Sequence, residues 1–482
     1  MPGRYVGGMT LPRSTPSAQG VDATGLLALL DALETPGHGT HSLMVARHGQ
    51  VIAEGWWAPY RHDRVHLGYS LSKSFTATVL GGLVGQGLID LDAPVLSYLV
   101  DDLGTLHEKW QRVTVRNCIT MTVGHSTEAW DWRGENLPPV GGPDDADPLL
   151  PQILAKVPDG EPGRVWAYNQ VATYLVAQAI AAVTGEPLTT HVRRLLLEPF
   201  GGLPGRAQRT LQGRDLGFSG LHVTTPAILA LAQSWLDGGR WQGVDLVPAG
   251  YAAQAPRPTP ASLAAAETGD WGYGYGCSFW NASHGYRGDG AYGQYAIVLP
   301  EHDVAVAITS EVEDMQHTLD LLWTHLLPAV DADVDPASDE VLARRLTDLG
   351  HPPLTGEQPG VATRAARHPD SQLPPEYATV SVEVTDGGHQ LLRFDHPTGD
   401  LATLVGNGQW LESAWPTPFG VDLPIAASGG WRGGAFTAEL RVVETPHTIR
   451  LVVQPDAGTA RLDWRLVPLT GPDPLLAASH PF

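Results

Sequence analysis

At 482 residues the chain is too long for one ordinary core and predicts two or three domains, with a hydrophobic fraction of 43% ample for burial. The 52 acidic residues against 30 basic ones give a formal charge of −22, which argues against a nucleic-acid partner or an anionic membrane surface, since both would repel the chain. Only three of the basic residues are lysines (Lys73, Lys109, Lys156), and a lysine here is informative: arginine stays protonated, whereas a buried lysine can act as a base. The two cysteines, Cys118 and Cys277, lie far apart with no metal-type spacing and read as buried free thiols. The stretch from Met1 to Val6 lacks a basic segment leading into an apolar one, and no apolar run approaches the roughly 18 residues of a membrane span, so a cytoplasmic protein is the default expectation.

In chain order, residues 21–34 have helical periodicity after Asp22, a capping residue. Residues 42–57 read as two strands around the turn Arg47-His48-Gly49-Gln50. A helix is predicted from Ser70 to about Gly87, then a short one begun by Pro94, then another within 113–126. From His125 to Pro151 the tryptophans Trp130 and Trp132, the prolines Pro138 and Pro139 and four aspartates predict a long loop. Helices follow over 169–184, stopped by Gly185, and over about 225–237. Three apolar runs between 271 and 311 predict an antiparallel meander, and 316–329 a closing helix. Residues 331–376, rich in Asp, Pro, Arg and Gly with a charged helix near 338–349, read as a connector. Alternating apolar and polar runs over 377–482 predict a small antiparallel β-barrel or sandwich.

One short stretch carries chemistry. In Ser70-Leu71-Ser72-Lys73 the i, i+3 spacing at a helix start stacks the lysine beside the serine hydroxyl, a nucleophile and its base. The helix start also aims free backbone N–H groups and the positive end of the dipole at any oxyanion formed on Ser70. Lys73 serves as a base only if burial depresses its pKa from about 10.4. Taken alone Ser-x-x-Lys is weak, because a serine can simply begin a helix. No GxSxG elbow, HExxH pair or phosphate-binding glycine loop accompanies it.

Its neighbours strengthen it. The stretch SLSKSFTATVLGGLVGQGLIDLDAPVLSYL (70–99) resembles the nucleophile region of the serine β-lactamase and penicillin-binding-protein superfamily, in its class C β-lactamase, D-stereospecific peptidase and esterase branch. VTVRNCITMTVGHS (113–126), the segment from Trp166 to Gly201 and the strands from Ala291 to Ser310 continue the resemblance, which covers roughly residues 20–330. It implies that Ser70 is the acyl-forming nucleophile and Lys73 its proton acceptor. The family's Tyr-x-Asn motif falls on Tyr168-Asn169-Gln170, with Tyr168 sharing protons with Ser70 and the leaving group, and Gln170 offering its amide to Lys73 or substrate. A phasing with Asn169 as the motif amide puts Ala167 at the tyrosine position and loses the hydroxyl.

The family's third motif, Lys-Thr-Gly or His-x-Gly, falls on Gly288-Asp289-Gly290, so the cation is missing; His284 and Arg287 lie nearby in sequence but do not align. The Ala291 N–H is then expected opposite that of Ser70 as an oxyanion site, without the usual clamp for a substrate carboxylate. Trp130 and Trp132 offer an apolar wall for an acyl group or simply pack their loop, and Ser126 and Glu128 line the cleft or cap the loop.

The expected architecture is α+β (mixed α/β): a β-lactamase-like antiparallel sheet flanked by helices with an all-helical lobe over 1–330, a connector over 331–376, and a small β domain over 377–482. The expected activity is hydrolysis of an ester or amide through acyl-Ser70, with a small-molecule or peptide substrate and neither metal nor organic cofactor. Two alternatives stay open at this point: an acyltransferase or peptide cyclase fed by a carrier-bound acyl group, and a non-catalytic scaffold that keeps the fold.

Overall fold

The computed structural model describes residues 10–128, 149–210, 212–265, 267–357, 362–397 and 399–482. Helix α1 (Ala23–Leu33) starts where Asp22 accepts a hydrogen bond from the Thr24 N–H at 3.0 Å. Strands β1 (Thr40–Arg47) and β2 (Gln50–Trp56) form the predicted hairpin, and His48 and Gly49 both adopt positive φ (49° and 68°), the twist a two-residue turn needs. The serine-lysine stretch enters a 3₁₀ turn at Tyr69–Leu71 that runs into α2 (Ser72–Gly85). Every residue of α2 from Ser72 to Leu83 is buried, so the helix, apolar or small all round apart from Lys73, lies inside the molecule rather than on it.

Helix α3 (Gln170–Thr184) ends at Gly185 with φ 72°, as predicted, and α4 (Thr225–Leu236) is capped by Thr224. Short helices Val115–Ile119, Leu149–Ala155 and Leu188–Val192 share the core cluster of α2 and α3 and form the helical lobe. Strands β3 (Trp280–Asn281), β4 (Tyr286–Gly290), β5 (Gln294–Leu299) and β6 (Val304–Ser310) complete a six-stranded antiparallel sheet in the order β2-β1-β6-β5-β4-β3. Met44, Ala296, Val298 and Ala307 lie on the side of α2 and α4, while Leu43, Val45, Ile297 and Val306 face α1, α5 (Met315–Leu321) and α6 (Pro336–Thr347). Both faces are covered, which is why β1, β5 and β6 read as continuous apolar runs instead of alternating ones.

Four local expectations change. Of the run from Trp271 to Trp280 only the last residue is strand; Gly269–Tyr273 is a 3₁₀ turn, and positive φ at Gly274 and Ser278 breaks any ladder. The closing helix continues past α5 through a π-type turn, Leu322–Leu326, and a 3₁₀ turn, Leu327–Ala329. Pro151, the expected end of the long loop, belongs to the helix Leu149–Ala155. Within the expected connector, α6 packs on α1 and β2, and residues Thr363–Arg367 join the C-terminal sheet.

That sheet holds nine strands between Thr363 and Trp464, antiparallel except where Thr363–Arg367 runs parallel to Thr459–Trp464. Its edge strands, Leu401–Val405 and Leu411–Pro416, come together, with the Leu404 N–H donating to Ser413 Oγ at 2.9 Å, so the sheet is a nearly closed barrel around Trp415, Phe394 and Phe436. Among the described residues no single helix is long and apolar enough to cross a membrane.

Candidate active site

Ser70 sits at the bend where the chain leaves the strand His66–Leu67 and turns into α2. The Gly68 N–H donates to the Leu221 carbonyl at 2.8 Å, the Leu71 N–H returns to the Gly68 carbonyl at 3.1 Å, and Tyr69 between them takes φ 47°. Left-handed backbone at a tyrosine is uncommon and costs about 1–3 kcal/mol, strain of the kind that clusters at functional sites. One turn on, Lys73 is 1% exposed. Its Nζ donates to Ser70 Oγ at 3.1 Å, to Gln170 Oε1 at 2.6 Å and to the Phe218 carbonyl at 3.0 Å, and lies 4.7 Å from the centre of the Tyr168 ring. Burial drives the Lys73 pKa down to about 7, partly opposed by the negative charges of Glu128 and Asp289.

Tyr168 is hydrogen-bonded to Ser70, and burial pushes its phenol well above the usual value, so it stays protonated at every working pH. Its ring stacks on Trp280 at 5.8 Å and meets the edge of Tyr275 at 5.9 Å. Asn169 is fully occupied otherwise. Its Oδ1 accepts from the Val171 N–H at 3.0 Å as the cap of α3, and its Nδ2 donates to His125 Nδ1 at 3.2 Å, while His125 Nε2 donates to the Lys156 carbonyl at 2.9 Å. The structure therefore brings Tyr168 and Gln170, not Asn169, to Ser70 and Lys73.

The third stretch is β4. A Cβ on Gly290 would lie 2.0 Å from the Gly68 carbonyl oxygen, so the end of this strand is pressed against the turn that carries Ser70. A Cβ on Gly288 would meet Leu71 Cδ1 and Ser74 Oγ, both at 2.6 Å; α2 fills the space that the family's lysine side chain would leave from. Arg287 and Asp289 project to the opposite face, where they pair at 3.1 Å and the guanidinium lies 4.7 Å from the Trp271 ring. His284 packs on Trp323. Neither supplies the missing cation. Ala291 follows β4, its carbonyl held by Gln294 Nε2 at 3.1 Å, and Gln294 in turn is fixed to Ser310.

Nothing in the sequence marks the Phe218 carbonyl, because a backbone acceptor carries no residue signature. Glu128 lies at the N-terminus of α3, where its carboxylate accepts from the Gln170 N–H at 3.1 Å and complements the helix dipole, closer to a cap than to a cleft wall. Ser126 donates its N–H to Asp159 at 2.8 Å, a loop contact. Trp130 and Trp132 lie outside the described residues.

The family model described as Beta-lactamase matches residues 30–329, more than half of the chain. The chain belongs to the beta-lactamase family. Among curated relatives of this beta-lactamase-family chain, Esterase EstB of Burkholderia gladioli is 28% identical over 214 residues, covering 40% of this chain and 54% of its own. The 6-aminohexanoate-dimer hydrolase of Paenarthrobacter ureafaciens is 25% identical over 229 residues, 44% of this chain and 56% of its own. The matches thus span about half the length of these relatives. Among solved structures, SurE superposes with a TM-score of 0.51 at 18% identity, over 88% of this chain and 97% of its own. That coverage exceeds the matched family domain, so the shared fold takes in part of the C-terminal strands as well.

Proposed function

We propose that this beta-lactamase-family chain is a serine hydrolase of esters or amides that works through a covalent acyl-Ser70 intermediate. The observation that carries the reading is the set of acceptors around Lys73. With a pKa near 7 much of the side chain is neutral amine at physiological pH. Gln170 Oε1 and the Phe218 carbonyl are acceptors only, so they take its two N–H bonds, and the lone pair is left facing the Ser70 hydroxyl. The base is thereby oriented as well as deprotonated.

In the proposed sequence Ser70 attacks the carbonyl as its proton passes to Lys73, and the oxyanion is held by the Ser70 and Ala291 N–H groups. The protonated Tyr168 phenol gives its proton to the leaving oxygen or nitrogen and is restored from the Lys73 ammonium. Water then reverses these roles to release the acyl group. With Gly288 at the cation's place the site has no charged clamp for a substrate carboxylate, which supports uncharged esters and amides over penicillins. The relatives carry names of esterase and 6-aminohexanoate-dimer hydrolase, in keeping with both bond types.

The test is turnover of p-nitrophenyl butyrate and of the matching anilide by wild type, Ser70→Ala and Lys73→Met. The proposal expects wild-type hydrolysis that both substitutions abolish. Hydrolysis that persists in Ser70→Ala refutes it.

A further inference from the structure

Two tyrosines with left-handed backbone flank the two proposed oxyanion donors. Tyr69 (φ 47°) immediately precedes Ser70, and Tyr292 (φ 66°) immediately follows Ala291. Both side chains leave the sheet domain and end on the C-terminal one. The Tyr69 hydroxyl donates to His447 Nε2 at 2.5 Å, and the Tyr292 hydroxyl donates to the Val467 carbonyl at 2.5 Å. His447 donates its Nδ1–H to the Leu466 carbonyl at 2.9 Å, which fixes the tautomer that leaves Nε2 an acceptor. Leu466 and Val467 are consecutive, so one short segment anchors both tyrosines.

The three rings pack edge to face, Tyr69 on Tyr292 at 5.4 Å, Tyr69 on His447 at 5.8 Å and Tyr292 on His447 at 4.9 Å. Just before the bend, the Leu67 N–H donates to the Glu444 carbonyl at 2.8 Å. Burial holds the His447 pKa down at about 3, so the acceptor persists at any working pH.

We propose that the seam from Glu444 to Val467 is part of the active site's scaffold, with His447 as its positioning residue: by holding Tyr69 through His447 and Tyr292 through the Val467 carbonyl, the seam sets the separation of the Ser70 and Ala291 N–H groups. This rests on the reading of Ser70 as nucleophile. The physical argument is that neither backbone conformation is one a tyrosine prefers. Without its tether each residue relaxes toward negative φ and swings the adjoining N–H away from the oxyanion.

The experiment measures kcat and KM for p-nitrophenyl butyrate in Tyr69→Phe, Tyr292→Phe, the double variant, His447→Leu and His447→Gln, with folded fraction fixed by thermal melts. Arg64→Gln, which breaks the 2.8 Å ion pair to Glu412 between the same two domains, is the control. Tyr69→Phe and His447→Leu are expected to lose about tenfold or more in kcat with KM unchanged, the double variant more, and His447→Gln, which keeps an acceptor, to recover part. Arg64→Gln is expected to keep wild-type kcat. Should folded Tyr69→Phe turn over at the wild-type rate while Ser70→Ala is inactive, this inference is overturned and the nucleophile reading stands. Ser70-independent turnover, or none in the wild type, overturns both.

Discussion

Gly290→Ala is the sharpest probe of how β4 meets the nucleophile. Gly290 has ordinary extended backbone, so alanine brings no conformational strain and acts through space alone. Its methyl would lie 2.0 Å from the Gly68 oxygen and 3.1 Å from both the Gly68 carbonyl carbon and Gln294 Cβ. The nearest atom is backbone and is held, because the Gly68 carbonyl accepts the Leu71 N–H. The strand end must therefore retreat by about 1 Å to reach a tolerable contact. Overpacking of this kind costs about 1–3 kcal/mol of stability. A displaced Ala291 N–H would forfeit one of the two proposed oxyanion donors, a loss of about 10²–10³ in kcat. Gly288→Ala is the comparison: its neighbours at 2.6 Å are side-chain atoms of Leu71 and Ser74 rather than backbone, and relieving them breaks the 2.8 Å hydrogen bond from Ser74 Oγ to the Ser278 carbonyl but does not push on the Gly68 carbonyl, so the loss of kcat should be smaller. Steady-state kcat on p-nitrophenyl butyrate and thermal melts followed by circular dichroism read both effects. A Gly290→Ala protein that melts with the wild type and keeps its kcat would refute the close packing of strand on bend.

Three further outcomes follow from the charges. If Lys73, whose pKa is about 7, is the base and must be neutral, kcat/KM should fall about tenfold per unit as pH drops below 7 and level off above it; a limb centred near 4 would contradict the assignment. In Gln170→Leu the ammonium form of Lys73 loses an acceptor, so the limb should move to lower pH, and a move upward would show that Gln170 does not hold the lysine. Glu311 is buried, accepts from the Thr448 N–H and hydroxyl, and is driven by burial from 4.5 up to about 7 against the pull of Arg465. A carboxyl whose folded pKa exceeds its unfolded one weakens the fold as pH rises between the two values. The unfolding free energy of wild type minus that of Glu311→Gln should therefore drop by about 3 kcal/mol from pH 4.5 to pH 7, and a pH-independent difference in urea melts would refute the assignment.

Helices and hairpin were legible because their signals are local: Asp22 and Thr224 cap, Gly185 stops, and His48-Gly49 turns within two residues. The Ser70-Lys73 pair was legible for the same reason, being a spacing on one helix. The long-range partners were harder. Phe218 contributes a carbonyl that any residue would offer. The roles of Asn169 and Gln170 depend on which amide is spent on the α3 cap, which Val171 and His125 decide in three dimensions. The stretch after Trp271 misled because its aromatic residues have strand character while Gly274 and Ser278 impose positive φ. Least legible was the contact of the Ser70 bend with the C-terminal strands, since nothing local marks Tyr69, Tyr292 and His447 as neighbours.

The central claim is that Ser70 forms a covalent acyl enzyme. Intact-mass spectrometry after brief exposure to a fluorophosphonate, followed by peptide mapping, tests it most directly. A nucleophilic Ser70 gives one adduct per chain on the peptide containing Ser70, formed faster above pH 7 than below it and absent from Ser70→Ala. No adduct in the wild type, or the same adduct in Ser70→Ala, would contradict it.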